Sequence, residues 1–104
     1  METQKPLILI NIFTVAPENQ ERLIGLLIHA TDDTVKFAPG FIRSTLHRSL
    51  DGTCVTMYAQ WESRAAYEAM RRDAKASPYL DEALQFARFE MRMYEAVKTF
   101  EGDF

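Results

Sequence analysis

Cysteine is almost missing from this chain: Cys54 is the only one among 104 residues. No disulfide can close within the chain, and a reducing cytoplasm is the natural setting for it. Glycine is scarce as well. The four glycines stand apart, none in a GxGxxG or phosphate-loop context, so no nucleotide cofactor is expected. The two histidines, His29 and His47, have no cysteine or carboxylate cluster beside them at metal-ligand spacing, and no metal is expected either. No nucleophile–histidine–acid set can be assembled. The longest apolar run, Leu7 to Ile10, is far short of the roughly 20 residues of a membrane span. The polar start Met1-Glu2-Thr3-Gln4-Lys5 lacks the order of a secretory signal. Positive charge is not in excess. Twelve Lys and Arg are scattered among fifteen acids, giving a net charge of −3 and excluding the basic stripe that nucleic acid or an anionic membrane requires.

What is present is an ordinary globular composition, 47% hydrophobic and 26% charged, of a length that suits one domain. That domain is expected to occupy 1–104, with a core from about residue 6 to residue 100. Leu7 to Val15 is apolar on both faces and rich in β-branched residues, which predicts a strand interrupted only by Asn11. Pro17 suits a helix start. Leu23, Ile24, Leu27, Ile28, Ala30 and Val35 then recur at helical spacing, opposite Glu21, Arg22, His29, Asp32 and Asp33, until Pro39-Gly40 stops the helix. Phe41 to Ser49 and Cys54 to Glu62 read as two strands joined through the hairpin signal Asp51-Gly52. Ser63 caps a second helix bearing Ala66, Tyr67 and Met70. Ser77-Pro78 restarts a helical segment with Leu80, Ala83, Leu84 and Ala87 inward. A last strand runs from Arg88 to Phe100, alternating Phe89, Met91 and Met93 against Glu90, Arg92 and Tyr94.

The order β-α-β-β-α-β is the split, ferredoxin-like α+β arrangement, a four-stranded antiparallel sheet with its helices on one face. The other face of the first strand carries Ile8, Ile10 and Ile12. An apolar face without helices needs a cover, and a second copy of the chain is the simplest one, so a homodimer is expected.

Period two places Val55, Met57, Ala59 and Trp61 on one face of the third strand, as it places Leu9, Asn11 and Phe13 on one face of the first. If both rows face the helices, Asn11 and the Trp61 indole become two polar groups in an apolar hollow roofed by Tyr67 and Met70, with small Ala59 leaving room. Each needs a hydrogen-bond partner, and a ligand oxygen, a water or a backbone carbonyl would serve. His47 is either a participant or a rim residue near the hairpin; His29 belongs to a solvated helix face.

Three segments taken together, Pro39-Gly40-Phe41, Leu46-His47-Arg48-Ser49-Leu50-Asp51-Gly52-Thr53 and Tyr58-Ala59-Gln60-Trp61-Glu62-Ser63 followed by Ala66-Tyr67, resemble the antibiotic biosynthesis monooxygenase family of dimeric α/β barrels. The resemblance runs over nearly the whole chain and is nearest to the anthrone oxygenases of aromatic polyketide pathways. It implies an enzyme without metal, flavin or haem that oxidises a planar phenol to a quinone with molecular oxygen, the substrate itself supplying the electron. It also implies roles: Trp61 a donor to the substrate's oxygen, Tyr67 a pocket wall and hydroxyl donor, His47 a proton carrier; the strand rows and the helix roof add Asn11, Phe13, Met57, Ala59 and Met70 as substrate-lining residues. The anthrone enzymes carry asparagine where Met57 stands, which removes one polar handle. Asn11 matches the asparagine of the related haem-degrading enzymes, but Met70 and Leu80 stand at the approximate positions of their tryptophan and histidine, so haem is not expected. A quinol oxygenase differs from this reading in substrate alone. The contrasting reading is a non-catalytic dimeric barrel that binds a small hydrophobic ligand or serves as an accessory protein.

Overall fold

The computed structural model describes residues 5–73 and 77–103. Strand β1 (Leu7–Val15) is followed by a 3-10 turn at Pro17–Asn19 and helix α1 (Gln20–Asp33). A second 3-10 turn, Val35–Phe37, leads into the hairpin of β2 (Phe41–Arg48) and β3 (Cys54–Trp61). Helices α2 (Arg64–Arg71) and α3 (Ser77–Ala83) then precede β4 (Ala87–Tyr94). The four strands form one antiparallel sheet in the order β2-β3-β1-β4, so the first and third strands are central as the split arrangement requires. Among the described residues, no helix is long and apolar enough to cross a membrane.

Local chemistry fixes the joints. The Ser63 hydroxyl accepts from the Ala66 amide at 3.1 Å and starts α2, as its position before the helix predicts. Gly52 turns the β2–β3 hairpin at φ 82°, beside an Asp51 carboxylate that accepts from the Thr53 hydroxyl, the Thr53 amide and the Ser49 hydroxyl. Those bonds, the Thr53 hydroxyl first, hold the Asp51 carboxyl below its usual value. Gly40 is constrained twice. Its φ is 88°, and a Cβ there would lie 2.5 Å from the Ala66 Cβ, so no larger residue lets the strand pass this close to α2.

Most of the buried apolar side chains fall into two groups on the helix-covered face, with Ile8 buried on the other. Phe13, Val15, Leu23, Leu27, Val55 and Ala83 tie α1 and α3 to one end of the sheet. Leu9, Ala59, Trp61 and Tyr67 tie α2 to the other.

Three expectations need correction: the reach of the last strand and the inward placing of Leu84 and of Ile28. The last strand ends at Tyr94, not Phe100. It is an edge strand whose one neighbour is β1, and their pairing finishes at Ile8↔Tyr94, where β1 is nearly spent. Residues 95–103 carry no regular structure, and Phe100 is exposed. Leu84 is 46% exposed because α3 stops at Ala83, which takes the buried position; Ala87 belongs to β4. Ile28 is likewise half exposed, rotated about 100° from buried Leu27. Gln20, an uncharged polar residue at the start of α1, is buried instead. Its Nε2 donates to the carbonyls of Ser49 (3.1 Å) and Cys54 (3.0 Å), pinning the helix to the turn end of the hairpin.

Candidate active site

Both strand rows of interest face the helices. Leu9 pairs with Ala59 and Asn11 with Met57, and β4 adds Met93 and Met91 on the other side of β1. Between this floor and helices α1, α2 and α3 lies a hollow of about 170 Å³. Its floor includes Asn11, Met57 and Ala59, its walls Phe13, Trp61 and Tyr67, and its roof Met70 and Leu80. Exposed Arg71 and Asp81 stand at its mouth.

Trp61 is 1% exposed and locked by two edge-on aromatic neighbours, Phe41 at 5.2 Å and Tyr67 at 5.7 Å between ring centroids. Such pairs fix ring orientation as well as adding about 0.5–1.5 kcal/mol beyond area burial. No hydrogen bond of the indole occurs among the described residues. Tyr67 is 3% exposed, and its hydroxyl oxygen accepts from Arg71 Nη1 at 3.3 Å, one helical turn on. That leaves the phenolic proton free to be donated.

The floor holds the polar anomaly. Asn11 Oδ1 is buried and has no hydrogen-bond partner among the described residues. Sheet register explains why: the flanking positions are Met57 on β3 and Met91 on β4, and neither side chain has a donor to offer. An unpaired buried carbonyl costs about 1–3 kcal/mol.

Of the residues anticipated for the site, Asn11, Phe13, Met57, Ala59, Trp61, Tyr67 and Met70 all line this hollow. His47 does not. It is exposed, sits opposite Thr56, and shares the uncovered face of the sheet. The cause is an irregularity in the pairing of β2. Phe41 sits opposite Trp61, yet Arg43 sits opposite Gln60, so one residue is skipped between them. That extra residue reverses the alternation. Phe41 faces the helices, and beyond the bulge Ser44 and Leu46 do so while His47 turns away. His29 is exposed on α1. Ser44, Thr31, Arg71 and Asp81 also line the hollow and were not anticipated. Arg71 carries a readable signal, four residues after Tyr67 on one helix face; Ser44 depends on the bulge. No group of three or more His, Cys, Asp and Glu residues poised to hold a metal occurs among the described residues.

The model of the family described as antibiotic biosynthesis monooxygenase matches residues 6–79. The tetracenomycin-F1 monooxygenase of Streptomyces glaucescens is 38% identical over 92 residues, which span 88% of this chain and 82% of that protein. Among solved structures, SnoaB from Streptomyces nogalater, described as a cofactor-independent oxygenase, superposes with a TM-score of 0.75 at 22% identity, covering 95% of this chain and 100% of its own. PA3566 from Pseudomonas aeruginosa gives a TM-score of 0.80 at 20% identity, covering 94% of this chain and 100% of its own. At those identities the two structures speak for the shared fold.

Proposed function

The chain belongs to the antibiotic biosynthesis monooxygenase family, and from that premise we propose that it oxidises a planar phenolic, anthrone-type or quinol substrate to a quinone with molecular oxygen, using no cofactor. The observation that carries the reading is the unpartnered Asn11 Oδ1 on the floor of a mostly apolar hollow. An acceptor in that position wants a donor from the ligand, and a phenolic hydroxyl is one.

The chemistry asks little of the protein beyond this. Loss of a proton from an anthrone-type substrate leaves a carbanion delocalised over the ring system. One electron passes from it to O₂, and the resulting radical pair closes a carbon–oxygen bond. The hydroperoxide then loses water, so one oxygen atom stays as the new carbonyl and the other leaves as H₂O. The residues supply three things. Leu9, Phe13, Leu27 and Met57 exclude water, which raises the worth of every dipole inside. The Trp61 indole N–H offers a donor to the oxygen that gains charge, held in place by Phe41 and Tyr67. The Tyr67 hydroxyl offers a second donor at the wall.

The uncovered sheet face supports a homodimer as the working assembly. Ile8, Ile10 and Ile12 form its central ladder, and Ile12 is 37% exposed in the single chain. One feature favours binding without turnover, a small hydrophobic ligand held by an accessory protein: Met57 brings no polar handle to the floor beside Asn11.

Aerobic incubation of the metal-stripped protein with dithranol or emodin anthrone tests the proposal, following quinone absorbance and oxygen uptake above the spontaneous rate. A clear excess that survives added chelator is the expected result. Absence of any excess would overturn the anthrone reading and leave the binding role.

A further inference from the structure

The hollow is too small to enclose the ligand proposed for it, and the consequence falls on Arg71. A cavity of about 150 Å³ accepts a single benzene ring, and this one measures about 170 Å³. A planar molecule of three rings that seats its inner edge against Asn11 therefore carries its outer ring at the mouth. The groups waiting there are Arg71 of α2 and Tyr79 and Asp81 of α3.

These groups are unequally committed. The Tyr79 hydroxyl donates to Asp33 Oδ2 of α1 at 2.8 Å, and this bond holds the phenol neutral and above its usual pKa. Asp81 takes part in none of the ion pairs among the described residues. The Arg71 guanidinium likewise enters none of them, and its one hydrogen bond there goes to a neutral partner, Tyr67 Oη. A guanidinium has five N–H donors, so most of its capacity is open. The sheet presents no charge to the hollow, since Asn11, Ser44 and Met57 are all neutral. Among the described residues Arg71 is thus the sole cation lining the hollow, tied by a hydrogen bond to a buried hydroxyl of the wall.

Resting on the reading above, we infer that Arg71 and Tyr67 form an anion subsite that binds the ionised oxygen of the ligand's outer ring. The ligand class is narrowed accordingly, to planar polycyclic phenols or enols whose outer edge gives up a proton. The ionisation is simple: the O–H bond breaks, the electron pair stays on oxygen and spreads into the rings, and the proton leaves to solvent at the mouth. Arg71 favours the ionised form and Asp81 opposes it. The guanidinium prevails because it alone is anchored to the wall.

The probe is alizarin (1,2-dihydroxyanthraquinone), whose colour reports loss of its phenolic proton. With metal-stripped protein in excess, quenching of the single tryptophan, Trp61, reports binding. The absorbance titration of bound dye then reports ionisation independently of any turnover. A nearby opposite charge lowers a pKa by about 1–3 units, and at this exposed mouth a shift of about one unit below free dye is expected. Arg71→Gln and Arg71→Met should return the midpoint to that of free dye while quenching persists. Arg71→Lys should keep most of the shift, and Asp81→Asn should deepen it. Arg71 is exposed at a helix end, so the neutral variants are expected to fold, and circular dichroism verifies this. Bound dye that ionises at the same pH with and without Arg71 overturns the subsite alone. Dye that fails to quench Trp61 overturns the hollow as a phenol site, and the subsite with it.

Discussion

The two faces of this sheet differ by one residue step along each strand, yet they have become different kinds of surface. On β1, Leu9, Asn11 and Phe13 face the helices while Ile8, Ile10 and Ile12 face away. The first row lines a hollow in which, among the described residues, the buried Asn11 Oδ1 has no hydrogen-bond partner. The second row is wholly apolar and opens to water along the strand, from buried Ile8 through half-buried Ile10 to exposed Ile12. The comparison teaches that in a small single-sheet protein the two roles of a core, holding the fold and holding a substrate, crowd onto one face. The other is left for association.

The largest effect expected from breaking that contrast is on stability. Leu9 is 2% exposed and lies among Ala59, Trp61 and Tyr67, so Leu9→Ala should lower unfolding free energy by about 2–5 kcal/mol. Ile12→Ala on the far face should cost under about 1 kcal/mol in dilute urea titrations. If the homodimer covers that face, the Ile12 penalty should grow with protein concentration while the Leu9 penalty does not. Equal penalties at all concentrations would erase the proposed division of labour.

Assembly comes next. Ile10 sits near the centre of the uncovered ladder, paired with Tyr58 and Arg92 on either side. Ile10→Lys places a charge where two copies would meet, and an unpaired buried charge costs several kcal/mol. Sedimentation should find at least about a hundredfold weaker dimer, with the circular dichroism of the helices unchanged. A wild-type protein that sediments as a monomer at micromolar concentration would remove the dimer from the account.

A smaller change should separate chemistry from packing. Trp61→Phe keeps an aromatic ring between Phe41 and Tyr67 but removes the indole N–H. Turnover of an anthrone should fall by at least about tenfold, the low end for one positioned donor. An unchanged rate would leave Trp61 a wall.

Much of this was legible from residue pattern because β1 and β3 are central and regular. Period-two alternation carried Asn11 and Trp61 to one side without knowledge of the fold, and Ser63 marked the start of α2 through a local hydrogen bond. What escaped was set by neighbours rather than by pattern. The alternation of β4 continues past Tyr94 in spirit, but a strand ends where its partner ends. Gln20 looks like a surface residue until the carbonyls of Ser49 and Cys54 are brought to it. The facing of β2 hung on a bulge that nothing in Phe41-Ile42-Arg43 announces.

Asn11 offers a test with opposite signs. Asn11→Leu replaces the orphaned amide with an apolar group of similar size between Met57 and Met91. Removing an unsatisfied buried acceptor should leave stability unchanged or raise it by about 1 kcal/mol. Binding of a planar phenol, read by Trp61 fluorescence, should weaken by about tenfold, the worth of one hydrogen bond of about 1.4 kcal/mol. A variant both less stable and unimpaired in binding would show that the amide serves the fold.

The smallest effect is expected at His47, and it sharpens the comparison most directly. The bulge puts this side chain on the far face, across the thickness of the sheet from Asn11 and Trp61, so a proton it carried would have no path into the hollow of the same chain. Pairing two sheets face to face does not alter that, because each copy's hollow stays on its own helix side. His47→Gln should therefore keep turnover within about twofold and leave its pH profile in place. Should turnover instead fall by about tenfold or more while the dimer persists, the far face takes part in the chemistry. The proton would then have to travel by way of the partner, along the rim of the sheet rather than through it.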